Sequence, residues 1–480
     1  MGIADWTDDL LHGAGQAWRS VDELFEPTLR LGVTGLSGAG KTVFITSLVA
    51  SLLRRGRMRL LKAEAEDRIL AAMLRPQPDP DVPRFAFEDH VASLTGTPQK
   101  WPESTRQISQ LRLSMKVRPA GLFSVVTGTR TLHIDIVDYP GEWLLDLPLL
   151  DVDYETWSRD ALRIASEPAR QEFGGPYLDG LAGIDADLPH DESVSARLSE
   201  EFRRYLGQCR QAGLSALAPG RFLMPGDLDG SPALTFAPVP VDGRPRRGSL
   251  AGEMSRRFEA YKRVVVKPFF QNHFARLDRQ VVLVDVLGAL AAGPRALGDL
   301  TAAMGETLSV FRHGQNGWLD RILGGRRIDR ILFAASKADH LHHEQHGRLT
   351  QLTEAMLDRA RASAAFAGAE TAAMSIAAIR ASSEQRLTRD GSELALVRGT
   401  RMSDGKEIAL YPGDVPTDVT EVLNGASVSA PGLAPADWSG GHAFARPVLA
   451  PPRWGDAAGD GPPHIRLDRA LEFLIGDKLD

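Results

Sequence analysis

Gly35-Leu36-Ser37-Gly38-Ala39-Gly40-Lys41-Thr42 is a G-x-x-x-x-G-K-[ST] string, set directly behind the apolar run 29–34 and directly ahead of the apolar-rich stretch 43–53. Strand, glycine loop and helix in that order make a triphosphate cradle. The glycines let the loop turn so that backbone N–H groups from Gly35 through Ser37, Gly38, Ala39 and Gly40 to Val43 point at phosphate oxygens. The helix start adds its partial positive charge there. Lys41 then reaches the β and γ oxygens, and the Thr42 hydroxyl is a ligand for Mg²⁺. A glycine-rich turn without a ligand is the competing explanation, and the flanking strand and helix argue against it.

Downstream, Asp138-Tyr139-Pro140-Gly141 closes the β-rich run 131–138. A carboxylate here can serve the Mg²⁺ shell and the Gly141 N–H can meet the γ-phosphate, so that gain or loss of that phosphate moves the chain beyond Gly141. Glu142 comes next, where it can orient an attacking water; the alternative is a solvent-exposed carboxylate with no catalytic role. Between the two motifs a threonine that closes over Mg²⁺ is expected. Of Thr95, Thr97 and Thr105, the last is favoured because it shortly precedes the strand beginning near Leu111. Arg106 and Arg112 are nearby candidates for a transition-state charge, weighed against ordinary surface or strand arginines. The candidate catalytic residues are therefore Lys41, Thr105, Asp138, Gly141 and Glu142, with Thr42, Thr105 and Asp138 as metal ligands.

Ser336-Lys337-Ala338-Asp339 follows the apolar run 328–335. The Asp339 carboxylate can accept from both N1–H and the N2 amino group of guanine, whereas adenine offers neither donor in that arrangement. Lys337 can lay its aliphatic stem over the base. The usual form of this element is [NT]-K-x-D, and Ser336 departs from it; a helix N-cap is the alternative reading. Ser375 and Ile376, within 374–378, fall where a further base-side loop belongs. GTP or GDP with Mg²⁺ is the expected ligand; ATP or ADP is the alternative, with Asp339 then structural. Two other features are set aside. His343-Glu344-Gln345-His346 misses the zinc pattern H-E-x-x-H because Gly347 holds the second ligand position, so His340, His342, His343 and His346 read as a solvated helix start. Asp285 reads as a polar strand end.

The 480 residues are 43% hydrophobic and 25% charged, the proportions of a soluble globular protein. A net charge of −6 gives no reason to expect a nucleic-acid partner. With Cys209 alone there is no disulfide framework and no cysteine-built zinc site, which favours a reducing interior. No run approaches the ~20 apolar residues of a transmembrane segment, and Asp5, Asp8 and Asp9 stand where a secretory leader carries lysines. A cytoplasmic chain starting at residue 1 or 2 is expected.

Strand, helix and strand in succession predict an α/β fold with right-handed crossovers in one sheet. The expected division is an N-terminal helix at 1–28, a first part of a nucleotide-binding core at 29–150 and a mainly helical insertion at 151–275. The second part of the core occupies 276–380, a small β subdomain with Asp390-Gly391 and Asp404-Gly405 turns 381–425, and a Pro/Gly-rich segment with a last helix 426–480. Within the core, further helix is expected over 54–74, strands over 111–119 and 121–126, and a hairpin into 131–138.

Four stretches of this chain, the glycine loop with 43–48, Val137-Asp138-Tyr139-Pro140-Gly141-Glu142-Trp143-Leu144-Leu145-Asp146-Leu147-Pro148, residues 279–285 and residues 464–477, resemble the bacterial YcjX-like P-loop proteins. The long central string is far rarer than a glycine loop, and the resemblance runs essentially end to end. It implies a P-loop NTPase with a Ras-like GTPase core, a helical insertion and a small β subdomain, acting in envelope-stress or heat-shock regulation. It also suggests an inner-membrane partner and a peripheral place at that membrane. Members of the family are often called ATPases, so the choice of nucleotide stays open. The expected activity is slow, Mg²⁺-dependent GTP hydrolysis working as a molecular switch, with an ATPase or a barely hydrolysing nucleotide-dependent scaffold as alternatives.

Overall fold

Strands that must be covered on both faces carry apolar residues at every position rather than at alternate ones. The computed structural model, which describes residues 26–35, 38–103, 107–120, 128–311, 328–363, 369–389, 392–416, 448–454 and 461–480, has two such apolar runs, 281–284 and 331–335, among the seven strands of its central sheet. They are β1 (Thr28–Gly35), β2 (Ile69–Arg75), β3 (Ser109–Val117), β4 (Arg130–Asp138), β5 (Arg279–Val284), β6 (Arg330–Ala335) and β7 (Glu370–Ser375), in the spatial order β2-β3-β4-β1-β5-β6-β7. From β4 to β7 all neighbours are parallel; β3 runs antiparallel to both β4 and β2.

The period-2 geometry of a strand sorts these side chains into two cores. Val281 and Leu283 of β5 and Leu332 and Ala334 of β6 join one core with α1 (Lys41–Arg54). Val282, Val284, Ile331 and Phe333 face the other. That second core is continuous with the helical segment between β4 and β5, whose main helices are α2 (Tyr154–Ala165), α3 (Gln171–Leu181), α4 (Glu192–Gln211) and α5 (Leu250–Tyr261). Asp153, Asp191 and Ser249 cap α2, α4 and α5 by accepting from backbone N–H groups two or three residues on. Between the helices Trp157 stacks on Phe258 with centroids 4.8 Å apart and meets Phe236 edge-on at 5.4 Å, contacts that add about 1 kcal/mol each to the area they bury.

After β5, α6 (Val286–Ala292) and α7 (Pro294–Val310) lead to β6, and α8 (His343–Ser363) leads to β7. A separate antiparallel sheet of β8 (Ser383–Arg389), β9 (Ser392–Thr400) and β10 (Glu407–Leu410) comes next. The last helix, α9 (Leu467–Ile475), packs Leu467, Leu471 and Leu474 into the core of α1, and its end is tied to β5 by Arg279, whose guanidinium donates to the Asp477 carboxylate at 2.7 Å.

One expectation is corrected. Residues 54–74 do not continue as helix: after the single turn Lys62–Ala65 the chain becomes β2. Ala71, Ala72 and Leu74 are good helix formers, but β3 presents an open edge whose backbone groups need partners, and pairing from Ala71↔Lys116 to Arg75↔Arg112 supplies them. Expectations for residues 1–25, Ser37, Thr105, Arg106, 121–126, the Asp390-Gly391 turn and most of 431–463 lie outside the described residues.

Candidate functional site

Register brings the chemistry to one edge of the sheet. Val33 of β1 pairs with Asp138 of β4, Gly35 with Leu283 of β5, Val284 with Ala335 of β6, and Ala335 with Ser375 of β7, so the loops leaving these strands share the carboxyl edge where open α/β sheets take their ligands. The glycine loop leaves β1 with Gly38 at φ 74° and Gly40 at φ 82°, left-handed conformations that a side chain disfavours, and Gly40 opens α1 by accepting from the Phe44 N–H. Here the chain bounds a cavity of about 340 Å³, lined on this side by Gly35 and residues 38–43, within the range of small-ligand sites.

Lys41 points to β4. Its Nζ donates to Asp138 Oδ1 at 2.6 Å, and the Ser109 hydroxyl lies 3.5 Å from Oδ2. The Asp138 side chain is 1% exposed and that of Lys41 11%, so the two charges neutralise one another out of bulk water. Strand β4 is held at this level by the Thr34 hydroxyl donating to the Tyr139 carbonyl and by the Tyr139 hydroxyl donating to Gln280 Oε1 at 2.7 Å. The Thr42 hydroxyl is nearly buried and lies 3.4 Å from the Glu103 carbonyl. The Thr42 hydroxyl at the start of α1 and the Asp138 carboxylate at the end of β4 are hard oxygen donors, a chemistry that fits Mg²⁺ and not a soft metal.

Past Gly141 the chain enters a buried 3₁₀ segment, Gly141–Asp151. Pro140 and Glu142, on either side of Gly141, line the cavity. Glu142 is not the free, solvent-exposed carboxylate of one reading: its Oε1 lies 3.1 Å from Nη2 of Arg210, from α4, which lines the same cavity. Deeper in the segment, Asp146 accepts from the Gly220 N–H at 2.6 Å, the Arg221 N–H at 3.2 Å and the Tyr261 hydroxyl at 2.7 Å. Burial still pushes its carboxyl up to about 6 against the opposing pull of those bonds.

On the other side, Lys337 adopts φ 63° and its Nζ donates to Asp285 Oδ2 at 2.7 Å; Asp285 in turn caps α6 by accepting from the Gly288 N–H. Asp339 lines the cavity with Oδ2 accepting from the Ala381 N–H at 2.9 Å, and its carbonyl accepts from the Ser382 hydroxyl. Ile376 lines the cavity as well, but Ser375 does not join it. Its hydroxyl is fully buried against α8 and α9, bonded to Thr350 Oγ1, the His346 carbonyl and the Arg466 guanidinium. The cavity wall on this side begins one residue later than expected, at Ile376, and continues through Ala377, Ala378 and Ala381.

Arg112 is a strand arginine, its Nε and Nη2 donating to the two oxygens of Asp135 at 2.6 and 2.8 Å. The histidines also differ from a solvated helix start: His342 and His346 are buried, and His343 meets Glu384. Candidate ligand atoms of His342, His343 and Glu344 lie within 4.8 Å of one another, yet Glu344 is paired with Arg386 and Glu384 with Arg380, cations that compete with any metal. Sequence reasoning missed Arg210 and Met224, more than sixty residues from the nearest motif with no local signature, and Leu449, whose carbonyl accepts from Trp101 Nε1 at 2.6 Å.

A glycine loop and helix behind β1, an aspartate at the end of its parallel neighbour and a K-x-D loop after β6 define a P-loop NTPase with a Ras-like core. Among such proteins the chain belongs to the YcjX-like family, DUF463, whose pattern matches residues 29–479. It is 40% identical over 466 residues to the Ras-like GTPase YcjX of Escherichia coli (strain K12), covering 94% of this chain and 96% of that protein. To the Ras-like GTPase YcjX of Shewanella oneidensis it is 36% identical over 479 residues, 94% of this chain and 95% of the relative.

Proposed function

We propose that this protein is a Mg²⁺-dependent GTP hydrolase that works slowly, as a molecular switch. The observation that carries the reading is one cavity lined by both the glycine loop, with Lys41 drawn to Asp138, and the loop of Lys337 and Asp339. Lys41 leaves Asp138 for the β and γ oxygens of the nucleotide, which carry more charge than one carboxylate. Thr42 and Asp138 then hold Mg²⁺, with Thr105 completing the set. At such a site a divalent ion supplies charge neutralisation across the phosphates. The Gly141 N–H reports the γ-phosphate, Glu142 serves the attacking water, and Asp339, Lys337 and Ile376 hold the guanine.

The segment after Asp138 and the helices docked on it are the moving output as the γ-phosphate comes and goes. The relatives' names support guanine nucleotide as the ligand, and the family resemblance implies a stress-response setting, cytoplasmic and peripheral to the inner membrane, with an inner-membrane partner. Among the described residues no helix is long and apolar enough to cross a membrane.

An ATPase is the second reading, favoured by one contact: Asp339 already accepts from the Ala381 N–H, as a purely structural aspartate would. Titration of fluorescent GDP, ADP and xanthosine diphosphate with Mg²⁺ into wild type and Asp339→Asn separates them. The guanine reading expects tight GDP binding that shifts to the xanthine nucleotide in the variant. Equal ADP binding, unchanged by the substitution, leaves the ATPase.

A further inference from the structure

The insertion contributes a side chain to the nucleotide cavity. Arg210, in the last turn of α4, lines it together with Lys41 and Gly38, and no other described arginine does so. Among the partners of its guanidinium are Glu142, with Nη2 at 3.1 Å from Oε1, and Met224, with Nη1 at 3.1 Å from Sδ. The Glu142 side chain is 8% exposed and that of Arg210 28%, so the arginine is the more accessible member of the pair.

This placement is built in by the contacts around it. The Trp143 indole N–H donates to the Met224 carbonyl at 3.0 Å, and the Arg221 guanidinium lies 3.2 Å above the Trp143 ring. Gly220 passes so close to the Glu142 carbonyl that a Cβ there would lie 1.9 Å from its oxygen. With Asp146 holding the Gly220 and Arg221 N–H groups, the segment after Asp138 and residues 220–224 of the insertion are locked together beside Arg210.

We propose that Arg210 is the cation the insertion supplies in cis to the γ-phosphate during hydrolysis, parked on Glu142 until nucleotide arrives. The proposal rests on the hydrolase reading above. A guanidinium presents a planar fork that fits two phosphate oxygens, and a triphosphate outcompetes one carboxylate for it. Turning to the γ oxygens, Arg210 offsets the charge that develops there and releases Glu142, whose carboxylate then accepts from the attacking water. The water oxygen forms the new bond to the γ-phosphorus. The bond from that phosphorus to the β–γ bridging oxygen breaks, its electron pair leaving with GDP. The water proton passes through Glu142 to the released phosphate. The pair thus keeps two catalytic groups silent in the absence of the γ-phosphate.

The test is single-turnover GTP hydrolysis by the full chain as wild type, Arg210→Ala and Arg210→Lys, with affinities for GDP and for GDP plus aluminium fluoride measured on each. Arg210→Ala is expected to slow hydrolysis about 10³-fold, the low end for a transition-state arginine. Its GDP affinity stays within about threefold of wild type while the gain from aluminium fluoride is lost. Free guanidinium ion restores part of the Arg210→Ala rate. Arg210→Lys keeps the ion pair with Glu142 but stays slow, because a point charge lacks the fork. Turnover by Arg210→Ala within about threefold of wild type overturns the proposal, as does loss of GDP binding in step with rate in both variants. A wild type that hydrolyses ATP and not GTP, with the same dependence on Arg210, retires the guanine reading and keeps this one. A wild type that binds GTP and hydrolyses neither nucleotide overturns both.

Discussion

At the ends of β1 and β4 the cavity holds two charges that face each other, Lys41 and Asp138, 2.6 Å apart, whereas at the ends of β6 and β7 it holds an aspartate fixed by backbone, with Asp339 accepting from the Ala381 N–H. In the proposed function the first of these is the phosphate end, which must break a pair to bind, and the second is the base end. The base end is already arranged, with Lys337 committed to Asp285 and Asp285 to the start of α6. Pairing of the first kind favours a site that changes shape with its ligand, and fixing of the second kind favours one that selects it.

The largest effect is expected at the phosphate end. Lys41→Ala removes the cation and leaves Asp138, 1% exposed, as an unpaired negative charge beside the phosphates. GTP affinity by fluorescent-nucleotide titration should fall about 10³-fold, or ~4 kcal/mol. Lys41→Ala with Asp138→Asn should recover part of the loss, since the repelling charge goes with its partner. Binding of GDP by Lys41→Ala at wild-type strength would mean that the base end carries the affinity, and the contrast would be broken.

Next comes the joint between the phosphate end and the insertion. The raised carboxyl of Asp146, about 6, means that the native chain takes up a proton on acidification before the unfolded chain does. Stability from this group is thus present below the ordinary carboxylate range, near pH 4, and is lost as pH rises through about 6. In urea unfolding at a series of pH values, wild type should gain up to about 3 kcal/mol relative to Asp146→Asn between pH 7 and pH 4. A constant difference across that window would show that Tyr261 and the two N–H groups already compensate the burial.

Legibility in the sequence divides along the same line. Short-range placement was legible: the glycine loop lies next to its strand and helix, Asp138 ends β4, and Asp339 lies in the loop that follows β6. Strands β5 and β6 announced themselves as unbroken apolar runs because both faces are covered. Long-range pairing was not. Residues 69–74 read as part of a helix, and only the free edge of β3 makes them a strand. Arg210 has the local sequence of any helical arginine; what distinguishes it is that α4 ends beside Glu142, a contact no spacing along the chain encodes. The histidines behind the base loop failed for the same reason, since burial of His342 and His346 depends on packing rather than on neighbours in sequence.

A smaller effect is expected at the base end. Lys337→Ala deletes the aliphatic stem and the pair with Asp285 while Asp339 keeps its hold on Ala381. GDP affinity should fall about tenfold, or ~1.4 kcal/mol, with the preference over ADP retained. Loss of that preference would show that Lys337 positions Asp339, and the base end would then be as pliable as the phosphate end.

The smallest effect should come from Ser375, adjacent in sequence to the cavity wall at Ile376 yet turned away from it. Side chains alternate across a strand, so the last residue of β7 faces opposite to its successor, and its hydroxyl falls among Thr350, the His346 carbonyl and Arg466. In Ser375→Ala the three partners of the lost hydroxyl each keep another bond: the Arg466 guanidinium keeps the Ser375 carbonyl at 3.2 Å, and Thr350 Oγ1 keeps the His346 carbonyl at 3.1 Å. Stability in urea should drop by about 1 kcal/mol, because no buried group is left unsatisfied. GDP affinity should stay within about twofold, because no nucleotide contact is removed. A fall in affinity larger than the fall in stability would mean that β7 shifts along its axis when nucleotide binds. A base end that shifts in that way could no longer be set against a phosphate end that must rearrange.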